Sequence, residues 1–175
     1  LFAVVRDVQR NTTTSPTTAY LIVDSQVPSE SGTFSIAVDA QPIAALAGDT
    51  CQMPQPILMS GLMQGLTTSG YFNDLSPTVS CTGYANPAPD RIFSFEIPAG
   101  NQLTAVVIPN GWDPSLYIVD PMSCLNAQTC LVGSDTGNNN GSESVRFTNT
   151  STVARTVFLV VDGFAGHGSV RFPPS

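Results

Sequence analysis

Residues 91–97 read RIFSFEI, with Phe93, Phe95 and Ile97 on one side of an extended chain and Ser94 and Glu96 on the other. Side chains alternate with a period of two along a strand, so this pattern predicts a strand with one apolar face. Similar stretches follow at 102–109 (QLTAVVIP), 115–120 (SLYIVD), 144–149 (SVRFTN), 156–163 (TVFLVVDG) and 168–172 (GSVRF). The connecting segments PNGWDP, GSDTGNNNGSE and GFAGHG are dense in turn-forming residues. Short strands at such spacing predict an all-β protein, a β-sandwich or barrel. The one helical candidate is PILMSGLMQGL at 56–66, and its two glycines weigh against it.

At 175 residues and 42% hydrophobic, the chain can bury a real core. Only 11% of residues are charged and all six cations are arginine, so Ser, Thr, Asn, Gln, Gly and Pro must coat the surface. A net charge of −7 supplies too few cations for nucleic acid or an anionic membrane, and leaves divalent cations as candidate partners. No run of 18 apolar residues occurs, so membrane insertion is not expected. The opening LFAVVRDVQR is apolar for five residues, short of a signal-peptide core; a secreted form would have shed its targeting segment.

Cysteines stand at Cys51, Cys81, Cys124 and Cys130, with no Cys-x-x-Cys and a single histidine, His167. That is a poor zinc set, and two structural disulfides in an oxidising compartment are the better reading. Four cysteines allow three pairings; the local one, 51–81 with 124–130, is favoured, and the others stay open.

The stretch TAYLIVD (18–24) is echoed by TVFLVVD (156–162). The echo extends outward, VVRDV (4–8) matching SVRFT (144–148) and GTFSIAV (32–38) matching GSVRFPP (168–174). Residues 1–38 therefore read as the last three strands of an incomplete repeat, 39–50 as a linker and opening segment, and 51–175 with it as a complete repeat. Three strands alone expose an apolar face and two edges. Phe2, Val4, Tyr20, Ile22, Phe34 and Ile36 are thus candidates for strand donation to other copies or neighbouring repeats.

The complete repeat resembles the bacterial pre-peptidase C-terminal (PPC) domain. The resemblance rests on GDTC (48–51), VSCTG (79–83), PDRIFSFEIPAGNQLTAVV (89–107), WDPSLYIVDPMSC (112–124) and VFLVVDGFAGHGSVRF (157–172). It covers about 135 of the 175 residues, and the cysteine placement looks like a variant found in tandem in secreted proteins. It implies an all-β, jelly-roll-like antiparallel β-sandwich without catalytic activity, of a kind that sits beside secreted peptidases or on cell-surface proteins and in some cases binds calcium, collagen or carbohydrate.

His167 is the only imidazole available to a Ser–His–Asp hydrolase, and neither GxSxG nor HExxH occurs. The expectation is no enzyme. The loop GSDTGNNNGSE (133–143) gathers Asp135, Asn138, Asn140 and Glu143, hard oxygen donors suited to calcium, without an EF-hand spacing. Trp112 and Tyr84 are candidate ligand contacts, with Tyr71 and Phe72 as weaker ones. Asn11, Asn140 and Asn149 head sequons that such an Asn/Thr/Ser-rich chain produces by chance. These readings converge on an extracellular or bacterial cell-surface module for adhesion or ligand binding, with an extracellular protein or polysaccharide as partner. The alternative is a structural subunit of a filament or oligomer in which strands 1–38 complete a neighbour's sheet.

Overall fold

The apolar run at 157–161 lies inside the longest strand, β8 (Arg155–Ala165), and both faces of that strand are buried. The computed structural model describes residues 16–18, 20–23, 28–29, 31–38, 46–77, 79–126, 130–165 and 168–172. The chain divides into two compact units, Leu1–Gln41 and Pro42–Ser175.

In the second unit one sheet has the order β1-β3-β8-β5-β6, built from β1 (Gln55–Pro56), β3 (Arg91–Ile97), β8, β5 (Asp113–Val119) and β6 (Val132–Ser134). The other has the order β2-β9-β4-β7, from β2 (Met63–Thr67), β9 (Ser169–Phe172), β4 (Gln102–Asn110) and β7 (Glu143–Thr148). Every pairing is antiparallel except the short β1–β3 contact. The protein is an all-β sandwich, and its six sequence-predicted strands appear as β3, β4, β5, β7, β8 and β9.

Between the sheets lie Phe93, Ile97, Val107, Leu116, Ile118, Val157, Leu159, Val161 and Phe172. Phe93 and Phe172 meet edge to face across this core, their centroids 5.5 Å apart. The five-stranded sheet also buries its outer face, where Ile92, Tyr117, Val119, Phe158 and Val160 pack with Leu75 and Cys124. A strand covered on both sides has no polar face, which is why β5 and β8 read as continuous apolar runs rather than alternating ones.

The helical candidate at 56–66, which its glycines already weighed against, does not form a helix. Gly65 sits at φ +69°, outside helical space, and Met63–Thr67 pairs with β9 instead. Arg91 braces this side of the sandwich, donating to the Thr67 carbonyl and to Gln55 Oε1 while its guanidinium lies 4.8 Å from the Tyr71 ring centroid. The far end is closed by Trp112, only 4% exposed. Its ring lies so close to Gly163 and Gly168 that an added Cβ would stand 2.6 and 2.2 Å from ring atoms.

The disulfide pairing corrects the local one favoured from sequence: Cys51 joins Cys124 and Cys81 joins Cys130, with Cα–Cα distances of 5.9 and 5.6 Å. All four sulfurs belong to the outer-face cluster, Cys124 in a 3-10 turn (Pro121–Asn126) after β5 and Cys81 in a helical turn (Val79–Thr82) packed on β6. Sheet packing therefore chooses the partners, not loop length. The two loops interlock, and closing spans of 73 and 49 residues constrains the unfolded chain by roughly 4 kcal/mol each in the chain-entropy description.

In the first unit, residues 20–23 and 31–38 lie in no strand, although the sequence predicts strands there. Tyr20, Ile22, Phe34 and Ile36 are all exposed, and Phe2 and Val4 lie outside the described residues.

Non-reducing peptide mapping should recover 51–124 and 81–130 and no other pairing. Removing the first bridge with Cys51→Ala and Cys124→Ala together should lower unfolding stability by about 2 to 5 kcal/mol, read from the urea midpoint.

Candidate functional site

Strand β1 covers β3 only at Phe93 and Ser94, and Ile57 N–H then donates to the Ser94 carbonyl. Past that point no described strand pairs with this edge of β3. A recess of about 560 Å³ opens there, walled by Ile57, Leu58, Met59 and Ser60 on one side and by Phe95–Pro98 with Asn101 and Gln102 on the other. A smaller apolar crevice, about 60 Å³, shares Ile57, Met59 and Phe95 and runs in toward Leu103, Leu159 and Phe172 between the sheets. Leu58 and Met59 are 87% and 81% exposed, so this rim is apolar side chain presented to water. Sequence reading missed it because the residues that form it were assigned to a weak helix.

The structure disperses the residues singled out as ligand contacts. Trp112 is core, held between two glycines, and cannot stack on a ligand; Tyr84 remains exposed on the surface. Tyr71 and Phe72 are half-buried, Tyr71 against Arg91. Asn149 is buried and its Nδ2 donates to the carbonyls of Ile97, Pro98 and Val153, so its sequon is a structural tie between β3, β7 and β8. Asn11 and His167 lie outside the described residues.

The loop at 133–143 is organised by its own glutamate. Glu143 is fully buried and accepts from Ser134 Oγ, from the amides of Thr136 and Gly137 and from Thr136 Oγ1. Asn140, at φ +68°, accepts from Gly111 N–H, and Asn138 is exposed. Among the described residues no group of three or more His, Cys, Asp or Glu side chains is arranged to hold a metal ion.

Asp135 belongs instead to an arrangement that the sequence spacing hides. Register places Ser115 opposite Asp162, and one residue beyond the last ladder pairs places Asp90 opposite Asp162 and Asp135 opposite Ser115. Four polar residues thus form one row across the outer face of the sheet, and each is less than 5% exposed. Asp90 accepts the amides of Asp74 and Leu75 at 2.8 Å, yet burial pushes its carboxyl well above the usual range. Burial and the neighbouring Asp90 do the same to Asp162, which also accepts the Tyr117 hydroxyl at 3.0 Å. Burial, Asp113 and Glu143 raise Asp135 from 3.8 to about 6.

No protein-family model matches the chain, and no curated protein matches it either. Among the described residues no helix is long and apolar enough to cross a membrane.

A carboxyl whose pKa rises on folding holds its proton longer in the native state. Its contribution favours folding at acid pH and is lost as pH climbs from 3.8 through about 6. In EDTA-containing buffer, Asp135→Asn should therefore stabilise the protein at pH 7.5 by on the order of 1 to 2 kcal/mol and change it little at pH 4, measured by urea unfolding at both values.

Proposed function

We propose that this chain is a non-enzymatic extracellular β-sandwich module, jelly-roll-like in topology and resembling the PPC domain, that binds a protein partner. The observation that carries this reading is the recess beside the open edge of β3, with Leu58 and Met59 exposed on its rim. An unpaired strand edge beside an apolar groove suits an extended polypeptide, whose main chain continues the sheet while its side chains enter the groove. A polysaccharide is favoured less, because no tryptophan or tyrosine lines the recess to stack on a sugar ring. Two disulfides place the protein in an oxidising compartment, and low charge without lysine fits an exposed secreted or cell-surface setting.

A second reading, the structural subunit, is favoured by one observation: Tyr20, Ile22, Phe34 and Ile36 are exposed in segments whose sequence suits strands. In that case such segments from one copy would extend a sheet of the next, a heterologous contact that repeats into a filament or closes into a ring.

A synthetic peptide of residues 31–38 and a cello-oligosaccharide serve as probes in an NMR titration. The peptide should shift resonances of residues 57–60 and 95–98, and Leu58→Ser with Met59→Ser should weaken it at least about fivefold without changing the melting temperature. Perturbation of those residues by the sugar alone would replace the protein partner with a polysaccharide; perturbation by neither would sink the binding surface. Native mass decides the second reading: a chain that stays monomeric at high concentration is not a filament subunit, and an assembly that survives deletion of residues 1–38 is not built by strand donation.

A further inference from the structure

We propose that Asp90, Asp162, Ser115 and Asn86 form a buried binding site for a hard divalent cation, Ca²⁺ by the chemistry of its donors. Three of these residues offer an oxygen with no hydrogen-bond partner: Asp90 Oδ1, Ser115 Oγ and Asn86 Oδ1. Their residues are 0, 0 and 2% exposed, so bulk solvent does not reach those atoms. Leaving a polar atom buried and unpaired costs about 1 to 3 kcal/mol, and two of these oxygens, on Asp90 and Ser115, belong to residues that flank Asp162 in one cross-strand row.

The backbone brings them together. Ser115 is the direct cross-strand partner of Asp162, and Asp90 follows opposite Asp162 on its other side. Side chains so paired have Cβ atoms roughly 4.5 to 5.5 Å apart, a span one ion can bridge with two carboxylates. Asn86 arrives on the covering segment, which is tied to this end of β8 by the Ala88 N–H donating to the Gly163 carbonyl. Asp162 adds a carboxylate whose oxygens accept only from Tyr117 and from the following amide of Gly163.

The charge balance points the same way. The groups acting on Asp90 and Asp162 are other acids, a tyrosine and backbone amides, with no arginine among them. Two carboxylates neutralise one divalent ion, and the donors are all oxygen, which favours Ca²⁺ over zinc. A site sealed from solvent also disfavours Mg²⁺, which keeps several waters. The site uses two carboxylates with neutral oxygens, so it is a different set from the acids of the 133–143 loop.

The test is thermal unfolding of the full chain after EDTA treatment, with CaCl2 alone or MgCl2 alone added back. Calcium at millimolar concentration should raise the melting temperature by roughly 5 to 10 °C, and magnesium by less than half of that. Asp90→Asn keeps the shape and an acceptor for Asp74 and Leu75, and should abolish the calcium shift. Ser115→Ala removes an oxygen without a partner; it should leave the metal-free melting temperature no lower than wild type and raise the calcium midpoint at least about fivefold. Asp120→Asn, at an exposed ion pair with Arg155, should keep the full response. The proposal is overturned by a melting temperature that ignores calcium up to about 10 mM and follows pH alone, which assigns neutralisation to protons. It is equally overturned by a calcium response that survives both Asp90→Asn and Ser115→Ala, or that disappears only on Asn138→Ala, which would put the ion in the loop.

Discussion

Everything in the sandwich depends on burying the five-stranded sheet on both faces. Its inner face is covered by the second sheet, as in any sandwich, but its outer face is covered by irregular chain between β2 and β3 and by the turns after β5. Irregular chain has few ladder bonds of its own and would peel away at little cost. The crossed disulfides hold it down: one ties the turn before β1 to the turn after β5, the other ties the helical turn at Val79–Thr82 to the entry of β6. A chain with this few charges gets little from surface ion pairs, and the single described pair, Arg155–Asp120, is one-third exposed.

The same cover explains the acids. A carboxylate at the open end of a strand is ordinary while water reaches it. Here Asp90 and Asp162 continue the apolar file of Ile92 and Val160, and the segment carrying Asn86 and Ala88 closes over them. Tyr117, the next residue of the file on β5, has its hydroxyl driven to donate to Asp162, and its own pKa is pushed well up by burial and by both acids. One layer of chain thus leaves the acids at this sheet end in a low-dielectric setting.

Much of the fold was legible because alternation and turn residues are local signals: RIFSFEI is β3 to the residue, and its predicted face packs inward. What stayed illegible depends on distant register or packing. The disulfide partners, the burial of Trp112 between Gly163 and Gly168, and Asn149 as a tie to Ile97 and Pro98 all join residues dozens of positions apart. The acidic row is the clearest case, since its members are spread from 90 to 162 and meet only through strand pairing. The loop at 133–143 reads as a ligand cluster because composition counts oxygens without asking which are occupied, and the oxygens of Glu143 are taken up by Ser134, Thr136 and Gly137.

The duplicated stretch can now be read with more chemistry. In TVFLVVD the residues Phe158 and Val160 face the outer cluster, Leu159 and Val161 the inner one, and Asp162 ends the file in the acidic row. TAYLIVD carries the same two-sided apolar pattern and the same terminal Asp, yet Tyr20, Leu21, Ile22 and Val23 are all exposed. A segment of this kind suits a central strand, and pairing at a sheet edge would cover its main chain while leaving one apolar face in water. GTFSIAV differs: Phe34, Ile36 and Val38 alternate with Thr33, Ser35 and Ala37, a pattern matched to an edge strand with one buried face. Of the two, residues 32–38 are therefore the better strand donor to a recess like the one beside β3, whereas residues 18–24 call for neighbours on both sides, which a tandem repeat supplies and a single added strand does not.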